Sequence, residues 1–150
     1  MKTVEFHHGM SDKLGYACRL VRKAQRSGVR LVVSGDAATL KALDRQLWVF
    51  DDQEFVPHVL VSPAEPVPAH LRATPVWLVP YDCADQAPDT ADGTPPVLIN
   101  VGSEMPAHPG TYARLFEVVS SAPEDRQAGR QRWKLYNGLG LSIQPHEVQT

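Results

Sequence analysis

Cysteine is scarce in this 150-residue chain, which has only Cys18 and Cys83. Two thiols far apart make neither the disulfide framework of a small secreted domain nor a metal-type pair. Cys18 fits the apolar face of a helix and reads as a small core residue. Long hydrophobic runs are also missing. Nothing approaches the roughly 20 apolar residues of a membrane span, and Met1-Lys2-Thr3-Val4-Glu5 does not open a secretory signal, so the expected location is the cytoplasm. Neither charge sign dominates: 15 Lys and Arg against 17 Asp and Glu leave a net charge of -2. A surface of that balance does not coat nucleic acid, and any such role would need a local patch.

A glycine-rich phosphate loop is absent as well. The residues after the first strand-like segment, His7-His8-Gly9-Met10-Ser11, match neither the P-loop nor the dinucleotide fingerprint. Gly35-Asp36 is too short a signal, and Gly138 and Gly140 follow the last helix rather than open one. Metal and catalytic signatures fail in the same way. Adjacent His7 and His8 point to opposite faces of a strand, and His58, His70, His108 and His146 are scattered without Cys or Glu at ligand spacing. Cys18 with a distant histidine has no local nucleophile signature. Acidic pairs such as Asp51-Asp52 and Glu124-Asp125 belong on loops and helix N-termini, where carboxylates complement the dipole. No catalytic centre, metal or cofactor is therefore expected.

What is present is an ordinary globular composition, 43% hydrophobic and 21% charged, at the usual length of one domain spanning 1–150. Thr3 to His7 reads as a strand, followed by a turn at Gly9 and a helix cap at Ser11. Leu14, Ala17, Cys18, Val21 and Ala24 recur at helical spacing until Gly28 stops the helix. Leu31, Val32 and Val33 suit a strand buried on both faces, and Ala37, Leu40, Leu43 and Leu47 mark a second amphipathic helix. This alternation predicts an α/β fold with a mostly parallel sheet. Further apolar pieces lie at 59–61, 76–79, 97–101 and 115–119, with proline-rich loops at 63–72 and 82–96. A last helix is expected over 124–137.

Two segments offer contact chemistry. Leu47-Trp48-Val49-Phe50 and Phe55-Val56-Pro57-His58 bracket four polar residues, and their aromatic rings suit either a core cap or the anchors of a protein interface. In the last helix Arg126, Arg130 and Lys134 repeat every four residues, with Trp133 beside them and Tyr136 nearby. Ala128 and Leu135 are expected to face the core. Such a stripe combines cations, donors and an aromatic plane, and suits an acidic peptide with an apolar terminal residue.

At these segments the chain resembles the chi subunit family of bacterial DNA polymerase III. The residues that carry the resemblance are Leu47-Trp48, Glu54-Phe55-Val56-Pro57-His58 and Arg130-Gln131-Arg132-Trp133-Lys134-Leu135-Tyr136, followed by Gly138 or Gly140. It implies a three-layer, Rossmann-like fold without nucleotide chemistry. It further implies a non-catalytic adaptor between the clamp loader and single-stranded-DNA-binding protein, reaching DNA through that partner. The partner's acidic C-terminal tail, ending in Pro-Phe with a free carboxylate, would meet Arg126, Arg130, Trp133, Lys134 and Tyr136, with Arg130 on the carboxylate. The second implied partner is psi, at Trp48, Phe55, Val56, Pro57 and His58. The different-class alternative is a small-molecule or nucleotide-binding α/β enzyme. Direct binding of single-stranded DNA ranks below the tail, since net charge is negative and aromatic platforms are few.

Overall fold

The computed structural model describes residues 3–49, 56–63, 65–86 and 93–148. Phe50, Phe55 and the polar residues between them, with 87–92 of the second proline-rich loop, lie outside the described residues.

Seven parallel strands make one sheet: β1 (Thr3–Met10), β2 (Leu31–Gly35), β3 (His58–Leu60), β4 (Val76–Pro80), β5 (Val97–Asn100), β6 (Arg114–Ser120) and β7 (Ser142–Glu147). Their order is β3-β4-β2-β5-β6-β1-β7. Helices α1 (Lys13–Arg26), α2 (Ala37–Val49) and α3 (Pro123–Gly138) complete an α/β, three-layer arrangement. The six apolar segments read from sequence all became strands. β7 was not foreseen, because Ser-Ile-Gln-Pro-His-Glu is a largely exposed edge strand and Pro145 is tolerable only at an edge.

Alternation divides the sheet between two cores. Leu31 and Val33 pack with Cys18, Val21 and Leu43 on the face covered by α1 and α2. Val32 points the other way, into a cluster with Val4, Trp77, Leu115 and Tyr136 of α3. Gly9, at φ 94°, carries a bulge in β1: the pairing steps from His8↔Val119 to Met10↔Ser120. The extra residue turns Met10 into the α1 core, although Val4 and Phe6, at even spacing before it, face α3.

Helix ends follow local chemistry. The cap of α1 is Asp12, not Ser11: its carboxylate accepts the Gly15 N–H at 3.0 Å. Gly28, at φ 82°, ends that helix as expected. Asp36 accepts the Thr39 N–H at 3.1 Å at the start of α2. In α3 the buried residues are Gly129, Arg132 and Tyr136, whereas Leu135, expected in the core, is 54% exposed. Gly129 sets this orientation. A Cβ there would stand 3.1 Å from both Val119 methyls, so glycine lets the helix sit close on β6.

Candidate functional site

The N-terminal two-thirds of α3, the ends of β1 and β6, and β7 enclose a cleft of about 400 Å³. It is lined by Phe6, His8, Gly9, Val119, Ser121, Arg126, Arg130, Trp133 and Glu147. Arg126, Arg130 and Trp133 share one helical face at spacings of four and three residues. Both arginines are exposed, and among the described residues neither is held in an ion pair. Two cations one turn apart repel, a small cost that an incoming anion would offset. Trp133 is half-buried, edge-to-face against Phe6 with ring centroids 5.2 Å apart. The cleft thus pairs an apolar aromatic wall with a cationic rim, next to the single acidic side chain of Glu147.

The other two residues of the expected tail site stand elsewhere. Lys134 is exposed but outside the cleft lining. Tyr136 is wholly buried, so it cannot touch a peptide on this surface. Its hydroxyl donates to Glu117 Oε2 at 2.6 Å, and burial, then the Glu117 charge, push its pKa upward. The same oxygen accepts Arg132 Nε at 3.0 Å and Asn100 Nδ2 at 3.0 Å. Arg132 also donates to the Ser103 carbonyl at 2.8 Å. At the start of α3, Asp125 accepts the Ser120 N–H at 2.7 Å and pairs with Lys13 of α1 at 2.9 Å. Polar bonds therefore fix α3 near both of its ends and hold the arginine face toward the cleft.

The aromatic segment at the end of α2 separates in a similar way. Trp48 is 56% exposed and Val49 77% exposed. The Trp48 ring leans on His58, with centroids 4.9 Å apart. His58 is buried, its Nδ1 donating to the Val56 carbonyl at 2.6 Å and its Nε2 lying 3.0 Å from Asp44. Val56 belongs to the core and Pro57 is half-buried. Val56 and His58 thus underlie the patch, and Trp48 with Val49 forms its described surface. β3 and β7 are opposite edges of the sheet, so this patch and the α3 cleft are well separated.

Sequence reading missed Phe6, His8, Ser121 and Glu147 in the cleft, because three separate strand ends supply them. A larger crevice, about 460 Å³, opens at the C-terminal ends of β2, β4 and β5, where open α/β sheets commonly bind ligands. Its described lining contains Glu104 and His108 but no Lys or Arg, a poor setting for nucleotide phosphates.

Comparison with known proteins adds two results. Residues 1–144 match the family model described as DNA polymerase III chi subunit, HolC. The chain is similar to the DNA polymerase III subunit chi of Pseudomonas aeruginosa, 30% identical over 144 residues that cover 92% of this chain and 88% of that one. It is also similar to the subunit of the same name from Haemophilus influenzae, 26% identical over 133 residues covering 88% and 85%.

Proposed function

Because the chain belongs to the DNA polymerase III chi subunit family, and so has a replication accessory role, we propose that it works as a non-catalytic adaptor. Its α3 cleft takes the acidic C-terminal tail of single-stranded-DNA-binding protein, and the Trp48 patch engages psi, which links it to the clamp loader. The observation that carries this reading is the convergence of Arg126, Arg130 and Trp133 on one cleft. Arg130 can hold the terminal carboxylate through two parallel hydrogen bonds. Phe6, Val119 and Trp133 offer the apolar wall that the terminal phenylalanine needs. Arg126 meets acidic residues upstream, and Lys134 adds longer-range attraction from outside the cleft. Tyr136 contributes from beneath, by holding the helix.

Titration of a labelled acidic peptide ending in Pro-Phe tests the reading. Saturable binding with a Kd near 10 µM, about -7 kcal/mol, is expected, and it should weaken as salt screens the arginines. Failure to saturate at about 1 mM peptide, weaker than about -4 kcal/mol, would contradict it.

A further inference from the structure

We infer that Glu5, His7 and His146 form a binding site for a divalent transition-metal ion of the zinc class, which clamps the edge strand β7 to β1. One ligand atom from each of the three lies within 4.8 Å of the others. Strand register explains the grouping. His7 pairs with His146 across β1 and β7, and Glu5 precedes His7 by two residues on the same face. These side chains share the face of the sheet that carries α1, whereas Phe6 and His8 line the α3 cleft on the other face. The site is therefore separate from the proposed peptide cleft.

Two of the three donors, His7 and Glu5, are held in place by neighbouring side chains. His7 Nδ1 is engaged by the Tyr16 hydroxyl of α1, which leaves Nε2. That nitrogen is buried and has no hydrogen-bond partner among the described residues. A buried polar atom left this way is costly, and a metal bond would satisfy it. Tyr16 then acts as the outer partner that fixes the ring, as hydrogen-bonded groups do for metal-bound histidines. Arg114 occupies Glu5 Oε2 at 2.6 Å, and the remaining Oε1 lies 4.0 Å from His146 Nε2.

Two imidazoles and one carboxylate, with water completing the shell, suit zinc, cobalt or nickel. Tetrahedral ligands about 2.1 Å from zinc stand about 3.4 Å apart, so atoms spread over 4.8 Å must close by up to about 1.4 Å. The His146 side chain is 45% exposed on an edge strand, so it is the ligand that must move to close the group. Lys23 and Arg114 line the same cavity, and their charges set the expected affinity in the micromolar range rather than tighter.

The experiment uses the full chain without a histidine tag, stripped with chelator and titrated with Co²⁺ followed by visible absorption, then with Zn²⁺ in competition. One equivalent should bind, with ligand-field bands of a nitrogen- and oxygen-ligated ion, and Zn²⁺ should raise the Tm. His146→Ala should weaken binding at least about tenfold and abolish the Tm rise, and Tyr16→Phe should weaken it about tenfold with all three ligands present. His70→Ala, at an exposed histidine elsewhere, should match the parent. Unchanged circular dichroism and tail-peptide affinity show that each variant is folded. Absence of a saturable cobalt spectrum, or equal affinity in parent and His146→Ala, would overturn the assignment.

Discussion

Arg132 and Glu117 form a buried ion pair, Nη2 to Oε1 at 3.0 Å, with side chains 2% and 0% exposed. The pair bolts α3 to β6 and determines which helical face is left to form the cleft. Burial pushes the Glu117 pKa up, and Arg132, Tyr136 and Asn100 oppose that by donating to the charged form. Removing either partner strands the other charge in the core. Arg132→Ala or Glu117→Ala should each cost about 3–5 kcal/mol in urea unfolding, and Arg132→Met with Glu117→Leu should recover much of the loss. A single-variant cost below about 1 kcal/mol would mean that the pair does not hold the helix.

Gly129 makes the same point by sterics. Its added Cβ would meet Val119 at 3.1 Å and Phe6 at 3.4 Å. Helix propensity alone would reward alanine there by about 1 kcal/mol. A branched side chain has no room, so Gly129→Val should destabilise by about 1–3 kcal/mol through overpacking. It should also weaken the tail peptide by moving Trp133 off Phe6. Thermal unfolding and peptide titration of the same variant check both effects; an unchanged Tm would contradict the close packing.

Much of the sheet was legible because buried parallel strands are continuous apolar runs, as in Leu31 to Val33. β7 was not, since an exposed edge strand needs only a pairing partner. The cationic stripe of α3 was legible from four-residue spacing, but Tyr136 looked like part of it. Seven residues nearly complete two turns, which puts Tyr136 beneath Gly129 and facing the sheet. The signal for that face was Glu117, a charge inside the apolar run Leu115 to Ser120 that requires a buried cation opposite it. Glu5, His7 and His146 come from both ends of the chain, and only the β1–β7 register brings them together.

Cys18 should be chemically quiet in the native protein. Burial, and next the Asp12 charge, raise its thiol to about 11, so at pH 8 only about a thousandth is thiolate. Cys83 is buried too. Reaction with an aromatic disulfide reagent at pH 8 should be slow and should accelerate as pH rises toward 11, while both thiols react rapidly in denaturant. Rapid labelling of Cys18 in the folded chain, located by mass spectrometry, would contradict its placement.

Trp48 separates contact from stability. More than half exposed, it should tolerate alanine at a cost of about 1 kcal/mol or less. If it anchors psi, Trp48→Ala should weaken that complex by about 2 kcal/mol or more, the loss typical of an interfacial tryptophan. Calorimetric titration against purified psi measures it, and parent-like affinity would remove Trp48 from that surface.

The adaptor reading rests most heavily on Arg130 meeting a terminal carboxylate. The direct measurement is a four-way titration: parent and Arg130→Ala, each against the tail peptide as free acid and as C-terminal amide. Amidation should weaken the parent by about 1.5–3 kcal/mol, the range for a hydrogen bond to a charged group, and should have little effect on Arg130→Ala. Equal loss on amidation in both proteins would contradict the account.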